Sequence, residues 1–248
     1  MELGKRQLKH IDDLVQHFID NKHLFEVLLK SVDASVSSSK GLQPHIHSVK
    51  SRIKDPEHLK DKLKRKALEA KSNNKIFTIT KKNLFSRIND LAGYRIIHLH
   101  TTQFEKIDSE LEKLIDEQSW IVHEKPAART WDDESREYFT KIGIAVIKSP
   151  SLYTSVHYII KANERNPITC EIQVRTLMEE VWGEVDHTIN YPLKSTKLSV
   201  REQIKTLARV TSSCSRLIDS IFNCHYESPN QIIDRQIKKT KSKKYSKK

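Results

Sequence analysis

Between residues 5 and 30, Leu8, Ile11, Val15, Phe18, Phe25 and Leu29 recur at near-helical spacing, which predicts one amphipathic helix packing by a single face. The serine-rich run SVDASVSSSKG is expected to end it and serve as a linker. A short extended piece around Ile46 to Lys54 follows. Asp55 and Pro56 then supply an N-cap and a first-turn proline for a helix to about Ala70, with Leu59, Leu63, Ala67 and Ala70 as its buried stripe. From Tyr94 the pattern changes, and YRIIHLH, WIVHE, IGIAVIK, YTSVHYIIK and TCEIQVRT read as strands. A helix through Leu111 and Leu114 separates the first two, and PAARTWDDESREY reads as a polar excursion after the second. A helix from Leu177 to about Ile189 turns Leu177, Val181 and Val185 inward. The last helix opens with Ser199 and Glu202 in capping-box spacing and runs to about Cys224. This order predicts an α+β domain: a mixed sheet of four or five strands flanked by helices, with further helices at both ends.

Length adds that 248 residues suit one compact domain with appended segments. The formal charge of +12 is unevenly spread: the stretch from Arg235 to Lys248 carries eight basic residues and no acid, and removing those eight leaves +4. Such a tail cannot bury a core and is expected to be disordered and drawn to polyanions, which suits a nucleic-acid contact as well as a solubilising role. Three cysteines, Cys170, Cys214 and Cys224, lack the paired spacing of a zinc knuckle or a disulfide framework. A charged N-terminus and the lack of a long apolar run predict a cytoplasmic protein with no membrane partner.

Candidate chemistry sits mostly on the strands. In EIQVRT the period of two puts Glu171, Gln173 and Arg175 on one face, so a carboxylate, an amide and a guanidinium stand in a row. Tyr153, Ser155 and His157 share a face in the preceding strand, where a ring can stack a base and an imidazole can meet phosphate. Asp90 precedes the strand entered through LAGYR, a place where a carboxylate can bind magnesium or cap a turn. His58, Lys62 and Arg65 fall on one helix face beside Arg52 and Lys54, which makes that helix end strongly cationic. Glu184 and His187 lack the second histidine of a zinc-protease motif, and His45/His47 and His98/His100 lack ligating partners, so no zinc site is expected. Read alone, EIQVRT also suits an ordinary solvated sheet face, and the Tyr and His of the other strand suit packing residues.

Together, SRIKDPEHLKDKLKRK, DLAGYRI, YTSVHYII and CEIQVRTLMEEVWGEVDHTINYP resemble the synthetase domain of the RelA/SpoT family, in that family's order and approximate spacing. The likeness spans roughly Ile46 to Pro192. It implies a nucleotidyltransferase-like fold and a magnesium-dependent pyrophosphokinase that moves the β,γ-pyrophosphate of ATP to the 3′ hydroxyl of GDP or GTP. By matching position, Arg52, Lys54, Lys62 and Arg65 would grip the ATP phosphates, with Arg95 a weaker phosphate-side candidate. Asp90 would hold the metal, and Glu171 would be the catalytic carboxylate, as base, as metal ligand or as both. Tyr153 would stack on the acceptor base, with His157, Gln173, Arg175 and His187 around it. The implied organisation is an N-terminal helix and linker over 1–42, a synthetase domain over 43–195, a packed helix over 196–226 and a basic tail over 227–248.

Departures concern the acceptor side. Many family members have Asn-Gly before the stacking tyrosine and Arg or Gln after it, whereas Ser151, Leu152 and Thr154 stand there in this chain; His58 replaces a common small hydroxyl residue. These leave open an adenine nucleotide or the tRNA 3′ end as acceptor, and also a catalytically silent nucleotide- or RNA-binding module. No paired His-Asp motif of a hydrolase precedes the block and no regulatory domain is expected after it. Homo-oligomerisation is a further expectation, with Leu198, Ile204, Leu207, Leu217 and Ile221 serving either assembly or packing on the same chain.

Overall fold

A computed structural model describes residues 2–149, 151–165, 167–191 and 195–226. The basic tail and its expected tRNA contact lie outside the described residues. The N-terminal periodicity forms two helices rather than one, α1 (Lys5–Asp20) and α2 (Lys22–Ser38), broken at Asn21 with φ −107° and ψ 7°. The helix continues through most of the serine run and ends inside it, at Ser38. Its Val32 and Val36 continue the stripe of Phe25, Leu28 and Leu29 and are fully buried, so tertiary packing overrides the weak local propensity of the serines. The break lets Phe18 and Phe25 meet edge to face, 5.5 Å apart.

Strand β1 (Ser48–Ile53) leads into α3 (Pro56–Ser72), whose N-cap Asp55 accepts hydrogen bonds from the Glu57 and His58 amides. A short α4 (Leu84–Arg87) precedes β2 (Ala92–His98) and α5 (Phe104–Glu117). The WIVHE strand runs on as β3 (Ile121–Thr130): Pro126, which has no amide to donate, sits where the register shifts between Glu124 and Ala127, so the ladder continues past it. What read as a polar excursion contains the end of that strand and α6 (Asp133–Lys141), capped by Asp132. Strands β4 (Ala145–Lys148), β5 (Ser155–Lys161) and β6 (Thr169–Thr176) follow, then α7 (Leu177–Asn190) and α8 (Leu198–Tyr226).

The α+β class is as expected, but the sheet has six strands rather than four or five, in the order β1-β2-β6-β5-β3-β4. The short extended piece joins it as the edge strand β1. The β2–β6 and β3–β4 pairs are parallel and the rest antiparallel. One sheet face carries Tyr94, Ile96, Val156, Tyr158, Ile172 and Val174 into a core covered by α2 and α5; the Tyr94 hydroxyl donates to Asp33 of α2 at 3.0 Å. The other face is left to α3 and α7.

Two further expectations change. In α7 the buried residues are Glu180 and Trp182, while Val181 is exposed, because that helix turns Trp182 to α8 and Glu180 to a group of cations. Helix α8 begins at Leu198, so Ser199 lies inside its first turn and Glu202 accepts from Lys205 at 2.7 Å instead of closing a capping box. Ile204 of α8 packs against Trp182, whereas Leu198, Leu217 and Ile221 stay exposed. All three cysteines are free. No helix among the described residues is long and apolar enough to cross a membrane.

Candidate active site

The cleft lies on the open face of the sheet, where the parallel pairing of β2 with β6 brings two distant segments side by side. Glu171 is opposite Gly93, and Asp90 stands just before β2, so both carboxylates line one cavity of about 530 Å³. The charge of Asp90 is felt at Glu171, where it works to raise the pKa. An adjoining hollow of about 370 Å³ shares Asp90, Lys62, His187 and Tyr191 with the first and is lined by Arg52, Lys54 and Arg65.

Asp90 is held by two lysines, with Lys54 Nζ 2.9 Å from Oδ2 and Lys62 Nζ 2.8 Å from Oδ1. The Lys62 contact is a charge contact more than a directed hydrogen bond, since Oδ1 is buried without a well-aligned donor. Burial pushes the Asp90 carboxyl up, but the charges of Lys62 and Lys54 outweigh it and hold the pKa at about 2. Burial lowers the pKa of Lys54, with the Asp90 charge opposing. The buried oxygen Asn89 Oδ1, on the neighbouring residue, has no hydrogen-bond partner. Two carboxylates and an unengaged amide oxygen form an all-oxygen donor set that fits a hard divalent cation such as magnesium. Among the described residues no cluster of three His, Cys, Asp or Glu residues could hold a metal, so such an ion would take its other ligands from water and phosphate.

Glu171, Gln173, His157 and Tyr153 close a ring of hydrogen bonds. His157 Nδ1 lies 2.8 Å from Glu171 Oε1, and Gln173 Nε2 donates to Glu171 Oε2 at 2.6 Å. The Tyr153 hydroxyl is 3.3 Å from both His157 Nε2 and Gln173 Oε1. Burial pushes the Glu171 carboxyl up, yet the hydrogen bond and charge of His157, with help from Gln173, leave its pKa below the ordinary value.

The structure does not group the remaining candidates as their strand positions imply. Arg175 is 3% exposed, ion-paired to Glu180, with its guanidinium 5.7 Å from the Tyr153 ring centre. Gly183 allows this: a Cβ there would come within 2.8 Å of Arg175 Nη1. Arg95 lines the cleft but is ion-paired to Glu180 at 3.2 Å and to Glu184, and Lys50 joins Glu180 at 2.8 Å. His187 is at the rim, stacked on Tyr191 at 4.6 Å; burial and the Arg52 charge lower its pKa. Tyr191 also meets the His58 ring at 4.7 Å and Arg65 at 5.6 Å. The sequence reading missed Tyr191, Glu180 and Gly183, and also Asn89, Glu124, Arg129 and Arg87, which line the larger cavity. Only Tyr191, an aromatic closing the HTINYP motif, carried a local signal.

The family profile described as "Region found in RelA / SpoT proteins" matches residues 51–196. The chain is 27% identical over 216 residues to the GTP pyrophosphokinase YwaC of Bacillus subtilis (strain 168), covering 81% of this chain and 90% of that protein. In fold it is similar to small alarmone synthetase 1 of Bacillus subtilis, with a TM-score of 0.58 at 17% identity over 88% of this chain and 100% of that one. The same synthetase bound to its product pppGpp gives a TM-score of 0.54 at 17% identity, covering 86% and 97%.

Proposed function

The chain belongs to the RelA/SpoT family, and from that premise we propose that it is a pyrophosphokinase transferring the β,γ-pyrophosphate of ATP to the 3′ hydroxyl of GDP or GTP. The name of its relative, a GTP pyrophosphokinase, supports this reading, as does the pppGpp product bound by a protein of similar fold. One observation carries it: Asp90 and Glu171 open onto a single cleft whose adjoining arm holds Arg52, Lys54, Lys62 and Arg65.

In this reading those four cations bind the ATP phosphates, and the rings of His58, His187 and Tyr191 bound the same arm. Arg95, already committed to Glu180 and Glu184, contributes field rather than direct contact. Tyr153 stacks on the acceptor base, His157 and Gln173 orient its ribose and phosphates, and Arg175 fixes the Tyr153 ring. The acceptor 3′ oxygen attacks the ATP β-phosphorus in line. A new P–O bond forms, the bond from Pβ to the α,β-bridging oxygen breaks, and AMP leaves with that oxygen. Glu171, kept ionised by His157 and Gln173, accepts the hydroxyl proton. Magnesium held by Asp90 and Glu171 would neutralise charge on the transferring group.

The test is incubation with ATP labelled on its terminal phosphate together with GDP, GTP, adenine nucleotides and tRNA. Label on the 3′ position of the guanine nucleotides is expected. Label confined to tRNA or to adenine nucleotides overturns the acceptor assignment, and ATP binding without any transfer overturns the enzyme reading.

A further inference from the structure

A second cavity, of about 280 Å³, lies where the core side of the sheet runs out beneath α6 and α8. Its lining mixes aromatic side chains, Trp131, Tyr138, Phe139 and Trp182, with polar ones. The polar part is acidic in balance. Asp132 and Glu134 pair with Arg216, at 3.1 and 3.6 Å, and Arg175 is taken by Glu180. Glu179 and Asp219 are left with backbone partners, accepting from the Thr176 amide at 2.8 Å and the Thr101 amide at 2.6 Å. Ser215 Oγ is buried in the same wall without a hydrogen-bond partner. Burial pushes the Glu179 carboxyl up to about 7, with the Thr176 hydrogen bonds and the Arg175 charge opposing.

An aromatic-lined cavity with an excess of acidic groups repels phosphates, so it does not suit the nucleotides assigned to the cleft. We propose that it is a second small-molecule site, for a planar ligand that is neutral or cationic and carries N–H donors. Such a ligand can pack against the aromatic rings, donate to Glu179 and Asp219 and meet Ser215. Arg175 and Trp182 line both this cavity and the cleft, so its occupancy is coupled to the Tyr153 side of the transfer site.

The probes are benzamidine and its anionic counterpart benzoate, measured by titration calorimetry and by the fluorescence of Trp131 and Trp182. Benzamidine is expected to bind at least ~10-fold more tightly than benzoate. Ser215→Phe, which fills the cavity, is expected to abolish binding while circular dichroism shows a native fold. Glu179→Gln, which keeps the cap on α7, is expected to weaken binding by about 10-fold whether or not the first variant folds. No benzamidine binding, equal benzoate binding, binding that survives Ser215→Phe, or competition by ATP overturns the site. At saturating benzamidine the acceptor KM is expected to shift by about fivefold or more. An unchanged KM with binding intact overturns the coupling alone. Only that last arm rests on the transfer reading, so the two can fail separately.

Discussion

At the scale of single residues, two acids of the cleft make different predictions. Glu171→Gln keeps the size of the side chain but turns one of its two acceptor oxygens into a donor and cannot take a proton. Transfer is expected to fall by about 10²- to 10⁴-fold with ATP affinity retained, as single-turnover rates and equilibrium binding would show. Asp90 bears on stability. Its folded pKa of about 2 lies below the ordinary 3.8, so its contribution is present above about pH 4 and is lost as pH falls through 2. That contribution is on the order of 2 kcal/mol. Urea unfolding should therefore find wild type more stable than Asp90→Asn at pH 6, with the gap closing toward pH 2. Residue chemistry was legible where it follows the strand period: the Glu171, Gln173 and Arg175 face is seen directly in EIQVRT. The commitment of Arg175 to Glu180 was not, because that contact needs α7 to fold back across the end of β6.

At the scale of elements, α7 is defined by what it does for cations. Glu180 is 4% exposed and faces Lys50, Arg95 and Arg175, which come from three different strands. Glu180→Gln removes the one charge that balances all three and is expected to cost about 3–5 kcal/mol in denaturant unfolding. Gly183→Ala ordinarily stabilises a helix by about 1 kcal/mol. Here the added methyl meets the Arg175 guanidinium, so the expected outcome is a lower Tm and a raised acceptor KM. Element types were mostly readable from periodicity and caps, as Asp55-Pro56 at α3 illustrates. Where the reading slipped, a tertiary demand prevailed: Val32 and Val36 carried α2 through a serine run, and a register shift carried β3 past Pro126.

At the scale of the whole molecule, the three thiols grade the structure from surface to centre. Cys224 is exposed, Cys214 half-buried, and Cys170 sealed in β6, where burial raises its pKa. A thiol reagent is expected to label Cys224 first and Cys170 only at the rate of global opening, which quenched labelling in native buffer would show. The topology behind that protection has a consequence of its own. Although β6 is the last of the described strands to be synthesised, it occupies a middle slot, between β2 and β5. A growing chain that has not yet delivered residues 169–176 exposes two unsatisfied strand edges facing a gap. During translation such an intermediate invites intrusion by a foreign strand and favours chaperone capture. Because that same late insertion brings Glu171 to the cavity that Asp90 lines, the proposed transfer would have to await the finished sheet.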